Sequence, residues 1–113
     1  NKNRTFGRSR SQRAALMRGL ALSLIEHGKI KTTEAKAKEL RPYIERLITQ
    51  GKSDTVQSRR LVSSKLGEPG TDAVKKLFGE ISKKYTDRNG GYTRIIKVGE
   101  VTAGRRDAFI ELV

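Results

Sequence analysis

The chain has 113 residues, which is the length of one small domain. It contains 25 Lys and Arg against 12 Asp and Glu, a formal net charge of +13 at pH 7, and its isoelectric point is near 10.5. There is no cysteine, which excludes disulfide frameworks, thiolate metal sites and cysteine nucleophiles. No apolar run approaches the roughly 18–20 residues of a membrane-spanning helix, and the periodic apolar residues argue against extended disorder.

The excess of positive charge predicts a polyanionic partner, because a small domain with this charge repels itself until it is neutralised. Nucleic acid is the commonest such partner, and an anionic membrane surface and an acidic protein are the alternatives. The charge is concentrated at the N-terminus, since residues 1–25 contain no Asp or Glu and hold Lys2, Arg4, Arg8, Arg10, Arg13 and Arg18. We therefore predict a basic arm over residues 1–11 and a single domain over residues 12–113.

Two other interpretations of the basic N-terminus stay open at this point. An Arg-rich, Ser-containing segment without acidic residues is also typical of a mitochondrial transit peptide and of a helix that lies on a membrane surface. A secretory signal fits poorly, because Leu20–Ile25 is too short an apolar stretch and no small-residue cleavage site follows it.

The first predicted helix covers Gln12–His27, with Ser11 as its N-cap and Gly28 as its C-terminal stop. Its apolar face has helical spacing and consists of Met17, Leu20, Ala21 and Leu24. Arg10 and Arg13 project to the same side, one to two turns toward the N-terminus. A face that is apolar at one end and cationic at the other indicates a helix that leaves the core and continues onto another surface.

The next segment alternates and is β-branched, which predicts a short strand over Lys29–Thr33. Thr33 is then the N-cap of a second helix over Glu34–Gln50. The apolar residues of this helix share one face and are Ala37, Leu40, Ile44, Leu47 and Ile48. Pro42 lies inside the helix and is expected to kink it or to split it near Leu40–Arg41.

Two more helices are predicted. The third covers about Thr55–Leu66, is capped by Ser53 or Asp54, and has the sparse apolar anchors Val56, Leu61, Val62 and Leu66. A turn over Gly67–Gly70 follows, and a fourth helix extends over about residues 71–85. The apolar stripe of the fourth helix is Val74, Leu77, Phe78, Ile81 and Tyr85. Such a stripe predicts core packing rather than a platform for stacking bases.

The C-terminal part of the chain predicts a β-hairpin. A tight turn at Asp87–Gly91 precedes a strand from Tyr92 to about Val101. Gly104–Asp107 is expected to be a loop, and Ala108–Val113 is expected to be the final strand. Two consecutive strands with a short connection pair in an antiparallel manner. The two arginines of the loop either contact a nucleic-acid groove or are merely solvated.

The sequence offers no catalytic or metal-binding constellation. His27 is the only histidine and falls at a helix C-terminus, where a cation is favoured electrostatically. The segment Gly99–Arg106 resembles a phosphate-binding loop only superficially, because Lys-Ser/Thr is missing after the second glycine and a strand follows instead of a helix. We therefore predict a binding module without a cofactor, and not an enzyme.

Several stretches of the sequence form one pattern when their order and spacing are considered together. They are Ile30–Arg41 (IKTTEAKAKELR), Gly90–Ile95 (GGYTRI) and Ile110–Val113 (IELV), with support from Ala21–His27 and Arg59–Leu61. Together they cover most of the chain and resemble the bacterial large-subunit ribosomal protein L17 family.

The resemblance implies an α/β (α+β) fold of two layers, with about four helices on a small mixed three-stranded sheet. It also implies a structural constituent of the large ribosomal subunit that binds large-subunit ribosomal RNA near the exit side of the polypeptide tunnel. Neighbouring ribosomal proteins are the other implied partners, and neither a membrane nor a small-molecule substrate is expected. The implied location is the ribosome, in the cytoplasm or in an organelle.

In this family the basic N-terminal segment lies against RNA, which by position implies contacts from Arg8, Arg13 and Arg18. Lys2, Arg4 and Arg10 belong to the same segment. We add as secondary candidates for RNA contact Lys29, Lys31, Arg59, Arg60, Arg88, Arg94, Arg105 and Arg106. The alternatives are a DNA- or RNA-compacting protein outside the ribosome and an RNA-processing enzyme, which would need a titratable pair in a cleft.

Overall fold

The computed structural model describes residues 10–67 and 71–113. Their elements, in chain order, are α1 (Arg10–His27), β1 (Lys29–Thr33), α2 (Glu34–Gly51), α3 (Val56–Lys65), α4 (Thr71–Lys76), a π-helical turn (Leu77–Ile81), α5 (Ser82–Lys84), β2 (Thr93–Thr102) and β3 (Arg105–Leu112). The π-helical turn joins α4 to α5, so these three pieces form the fourth helix of the prediction. No described helix is long and apolar enough to cross a membrane.

Helix α1 already includes Arg10 and Ser11. The prediction that Ser11 is the N-cap is therefore wrong. The C-terminal stop is as predicted, because Gly28 has a φ of 79°, which ends a helix at little cost in glycine. The predicted apolar face is confirmed: Ala21 and Leu24 are fully buried, and Met17 and Leu20 pack against the core.

Helix α2 is capped as predicted, since the Thr33 hydroxyl accepts a hydrogen bond from the Lys36 backbone N–H at 3.3 Å. The expected break at Pro42 is wrong, because α2 is one helix from Glu34 to Gly51. Pro42 is exposed, whereas the buried side chains before and after it lie on one face: Ala37, Leu40, Ile44, Leu47 and Ile48. Packing on both sides of the proline outweighs the loss of one hydrogen bond on the solvent side.

Helix α3 is capped by Thr55, whose hydroxyl accepts from the Ser58 N–H at 3.0 Å, and not by Ser53 or Asp54. Two of its four predicted anchors, Val62 and Leu66, are buried. The other two are wrong, since Val56 is 67% and Leu61 is 44% exposed. This ten-residue helix touches the core along one line only, and the two exposed residues lie on other sides of it.

The predicted stripe of the fourth helix is confirmed, because Val74, Leu77, Phe78, Ile81 and Tyr85 are all buried. The π-helical turn inside it was not predicted, because apolar spacing does not distinguish one wider turn within a helix. Beyond that turn Ser82 is 1% exposed, and its hydroxyl donates to the Ile48 carbonyl at 2.9 Å. The side chain of Ser82 sits where a Cβ on Gly51 would fall, only 2.2 Å from Oγ, so the two helices approach closely.

The sheet has the strand order β1-β3-β2, and both pairings are antiparallel. The implied mixed sheet is therefore wrong. Strands β1 and β2 do run in the same direction, but β3 separates them. The hairpin between β2 and β3 is confirmed, although its loop is shorter than predicted, because Arg105, Arg106 and Asp107 belong to β3.

The helices cover one face of the sheet, and the molecule has two layers. The sheet residues Ala108 and Ile110 are fully buried against helical residues, and Ile30 and Ile95 pack beside them. Since side chains alternate along a strand, the neighbours of these residues point away from the helices. The outer face of the sheet is therefore left to solvent or to a partner.

Candidate nucleic-acid interface

The three described arginines of the N-terminal segment lie in different surroundings. Arg10 is exposed at the start of α1, which has no acidic residue in its first turn. Arg13 donates from Nη2 to Glu39 Oε1 at 3.3 Å, so it ties α1 to α2. Arg18 passes over the end of α3, where a Cβ on Gly67 would lie 2.9 Å from its Cδ and Nε.

The charges of Arg18 and Arg46 act on one tyrosine between the helices. The hydroxyl of Tyr43 donates to the Lys65 carbonyl at the end of α3. Burial raises the pKa of Tyr43, and the charges of Arg18 and Arg46 partly oppose that increase. Arg46 is exposed and was not among the predicted contacts. The junction of α1, α2 and α3 therefore presents two cations that no described carboxylate neutralises.

Adjacent arginines on α3 differ in their availability. Arg59 makes a bidentate ion pair with Asp54, with 2.6 Å from Nε to Oδ1 and 3.1 Å from Nη2 to Oδ2. This hydrogen bonding lowers the pKa of the Asp54 carboxyl below its usual value. The Arg59 guanidinium also lies 5.0 Å from the centroid of the Phe78 ring. Arg60 is exposed and pairs with no described carboxylate.

A second basic group surrounds two tyrosines near the turn before β2, whose rings lie at 45° to each other. The rings of Tyr85 and Tyr92 have centroids 5.0 Å apart. Lys52 lies 4.8 Å over the Tyr92 ring, and its ammonium donates to the Arg88 carbonyl. The Arg88 guanidinium lies 5.9 Å from the Tyr85 centroid and donates to the Gly91 carbonyl at 3.2 Å. Its charge has no carboxylate partner in the described part of the chain.

The β-hairpin carries one neutralised and one available arginine. Arg105 Nε lies 2.9 Å from Asp107 Oδ1, and the Asp107 side chain is only 6% exposed. Arg106 is exposed and lies opposite Glu100 in the strand register. The Glu100 carboxylate accepts from the Gly104 N–H at 3.1 Å and so closes the turn.

The outer face of the sheet holds the three remaining candidates. Arg94 Nη1 lies 3.3 Å from Glu111 Oε1. Lys29 and Lys31 are exposed on β1, and Lys29 Nζ lies 4.6 Å from the centroid of the Phe109 ring. This face therefore combines cations with an aromatic ring.

The candidates divide into two groups according to whether a described carboxylate lies within salt-bridge distance. Four have such a partner and are Arg13, Arg59, Arg94 and Arg105. Seven have none among the described residues: Arg10, Arg18, Lys29, Lys31, Arg60, Arg88 and Arg106. Lys2, Arg4 and Arg8 lie outside the described residues. Surface ion pairs are weak, so the pairing ranks the candidates and does not remove any.

Three basic residues that lie beside the tyrosines described above were not among the predicted contacts: Arg46, Lys52 and Lys84. Lys84 lies 5.5 Å from the Tyr85 ring centroid. Lys52 meets Tyr92 and Arg88 only through the tertiary structure. Arg46 lies three residues from Tyr43 on the same helix, and Lys84 is adjacent to Tyr85, so for these two the sequence held a local signal that the prediction did not use.

The described residues include no group of three or more His, Cys, Asp or Glu side chains that could hold a metal ion. His27 lies with its Nε2 3.9 Å from Glu26 Oε1, and both side chains are mostly exposed. A pair of this kind on the surface does not provide the positioned base that acid–base catalysis requires. The arrangement offers cations for binding an anion, spread over the helical layer and the sheet.

Comparison with known proteins identifies the family. The family model for ribosomal protein L17 matches residues 16–113, which covers all the described elements except the first turns of α1. The "Large ribosomal subunit protein bL17" of Persephonella marina is 48% identical over 114 residues, covering 99% of this chain and 91% of the relative. The protein of the same name from Staphylococcus haemolyticus is 47% identical, with 97% of each chain covered. That of Sulfurimonas denitrificans is 50% identical, covering 97% of this chain and 94% of the relative. This chain therefore belongs to the ribosomal protein L17 family.

Proposed function

We propose that this chain is a structural, non-catalytic constituent of the large ribosomal subunit and that it binds the ribosomal RNA of that subunit. The observation that carries the proposal is the near-full-length similarity, at 47–50% identity, to proteins named as components of the large ribosomal subunit. By the same family relationship, neighbouring ribosomal proteins and a position near the exit side of the polypeptide tunnel are part of the proposal. Its place is the ribosome of a bacterial-type cytoplasm.

The charge distribution supplies the physical basis for binding RNA. Each phosphate that a Lys or Arg neutralises releases condensed counterions, and this release favours association. The segment over residues 1–25 has six Lys and Arg and no Asp or Glu, so it carries 6 of the 13 net positive charges. Helix α1 includes the last two residues of the predicted arm and presents Arg10 and Arg18 without described carboxylate partners, and residues 1–9 of the arm are proposed to contact the RNA as well.

The folded domain over residues 12–113 has a positioning role in this proposal. Its core holds α1 against α2 through buried residues such as Leu24 and Ile44, and the Arg13–Glu39 ion pair lies at the same junction. A fixed helix presents its cations at set distances, which suits a folded RNA whose shape and 2′-hydroxyls define the site. Arg60, Arg88 and Arg106 would then contact phosphates at the edges of the same site.

The test is sedimentation of a cell lysate through sucrose gradients at low and at moderate salt, with the chain detected by an antibody. We expect stoichiometric migration with the large subunit that persists at moderate salt, because the chain is released only when many contacts break at once. A matched variant lacking residues 1–9 is expected to leave the subunit at lower salt than the parent chain. Recovery of the parent chain at the top of the gradient, or with DNA, would overturn the proposal in favour of a free nucleic-acid-binding protein.

A further inference from the structure

The outer face of the sheet places an aromatic ring between a cation and an apolar side chain. In the strand register Phe109 on β3 is opposite Lys31 on β1 and opposite Ile96 on β2. Two residues further along β3, Glu111 lies between Lys29 on β1 and Arg94 on β2. We call Lys29, Lys31, Arg94, Ile96 and Phe109 the sheet platform.

The apolar part of the sheet platform is not used by the core. Ile96 is 39% exposed, and Phe109 is only partly buried. Neither belongs to the core or to the partly buried residues that pack against it. Val98, two residues further along β2, is 47% exposed. Phe109 therefore stabilises no described part of the helical layer, and its face is open to a partner.

The charge of the sheet platform identifies the kind of partner. These two rows of the strand register hold three cations, Lys29, Lys31 and Arg94, and their one carboxylate, Glu111, is engaged by Arg94 at 3.3 Å. Lys29 Nζ lies over the ring, 4.6 Å from its centroid. A flat aromatic surface with cations at its rim fits a ligand that alternates flat bases with phosphates, which is single-stranded nucleic acid.

The edges of the sheet argue against a protein strand as the occupant. Strand β2 has register shifts between Lys97 and Gly99 and between Glu100 and Thr102, and such bulges interrupt the ladder that an added strand would extend. The opposite edge, β1, has five residues and carries two lysines, which also disfavours strand addition. The open surface is thus the face of the sheet and not its edges.

We propose that Phe109 stacks an unpaired base of the ribosomal RNA, with Lys29 and Lys31 on the phosphates beside that base. The proposal rests on the proposed function, because it names the RNA feature that this chain takes. Stacking requires Lys29 to move off the ring, and losing this cation–π contact lowers the affinity for RNA about 2- to 5-fold. A stacked base contributes about 5- to 150-fold, so the exchange favours the base and frees Lys29 to reach a phosphate.

The test uses the full chain and a single-stranded oligouridylate of about 12 nucleotides, within the usual site sizes for single strands. The chain contains no tryptophan, so Phe109→Trp introduces a single indole at the platform, which can be excited apart from the tyrosines, and retains a stacking ring. We expect its indole emission to be quenched by the oligouridylate and its Kd to be equal to or lower than that of the parent chain. A blunt RNA duplex with the same total number of phosphates should not quench it, because all its bases are paired and stacked.

Phe109→Leu removes the ring and keeps an apolar side chain. It is expected to weaken binding of the oligouridylate about 5- to 150-fold and to leave binding of the duplex unchanged. Leu61→Ala is the matched control, since it removes an apolar side chain that is 44% exposed on α3, and it should change neither. Circular dichroism and thermal unfolding of each variant establish that it is folded.

The outcomes separate this proposal from the proposed function. If the indole is not quenched, or if Phe109→Leu binds the oligouridylate as the parent does, the stacking proposal is overturned, while comigration of the parent chain with the large subunit would keep the proposed function. If Phe109→Leu binds naked RNA normally but is lost from the subunit, the platform contacts a protein and the stacking proposal is again overturned. If the parent chain does not migrate with the subunit, the proposed function itself fails.

Discussion

Carboxylate pairing within the chain should decide which arginines contribute to RNA binding. The two double variants Arg10→Gln/Arg60→Gln and Arg13→Gln/Arg59→Gln test this directly. Each variant removes one arginine from α1 and one from α3, and each lowers the formal net charge from +13 to +11. They differ because the first pair has no described carboxylate partner, whereas Arg13 and Arg59 lie 3.3 and 2.6 Å from theirs.

The size of the effect follows from counterion release. Each phosphate contact contributes about 0.7–0.9 to the slope of log affinity against log salt. Loss of two contacts therefore reduces the magnitude of the slope by about 1.4–1.8. Between 50 and 200 mM salt this changes the relative affinity about 7- to 12-fold. The variant without Arg13 and Arg59 is expected to reduce the slope by less than about 0.7, because those two charges are already largely neutralised.

The assay is fluorescence anisotropy with labelled large-subunit ribosomal RNA at four or more salt concentrations. Thermal unfolding of both variants is measured first, since the second variant also loses the ion pair between α1 and α2 and the one between Asp54 and Arg59. Equal slopes for the two double variants would refute the idea that internal pairing determines which cations are available. Two slopes identical to that of the parent chain would show that none of these four arginines contacts a phosphate.

Three further predictions concern the arm, the helix junction and acid stability. Removal of residues 1–9 deletes three basic residues and should reduce the magnitude of the same salt slope by about 2–3. An unchanged slope would show that residues 1–9 do not contact phosphates. Gly51→Ala should lower the free energy of unfolding by about 1–3 kcal/mol in urea, because the new Cβ would lie 2.2 Å from Ser82 Oγ. The same substitution should lower it by less in a Ser82→Ala background, which lacks that atom, and an equal loss in both backgrounds would contradict the close approach. The hydrogen bond from Arg59 lowers the pKa of Asp54. The stability that this ion pair contributes is therefore present above the unfolded pKa of about 4 and is lost as pH falls through the lower pKa of the folded state. Asp54→Asn should therefore flatten stability against pH only below about pH 4, and an equal effect at neutral and acidic pH in urea unfolding would contradict this.

The core was predictable because it depends on spacing alone. The stripe from Val74 to Tyr85 and the face of α2 are both buried as predicted, since an apolar face at a helical period must find cover. The cap at Thr33 was also predictable, because it is a local interaction with the N–H of a residue three positions away. The π-helical turn at Leu77–Ile81 was not, because it depends on how the fourth helix fits against α2.

The candidate site was predictable in composition but not in detail. Sequence identifies arginines, whereas their ion-pair partners depend on tertiary structure. Arg13 pairs with Glu39, 26 residues away, and Arg94 pairs with Glu111 across the hairpin, 17 residues away. The sheet platform is of the same kind, because Lys31, Phe109 and Ile96 become neighbours only through the strand register.

Ultraviolet crosslinking in purified large subunits, followed by mass spectrometry of the crosslinked peptides, tests the central claim most directly. The claim is that the basic N-terminal segment and α1 lie on large-subunit ribosomal RNA. We predict crosslinks from this RNA to peptides within residues 1–18, including those that contain Arg10 and Arg18. Crosslinks to protein or DNA alone, with none to large-subunit RNA, would contradict the claim.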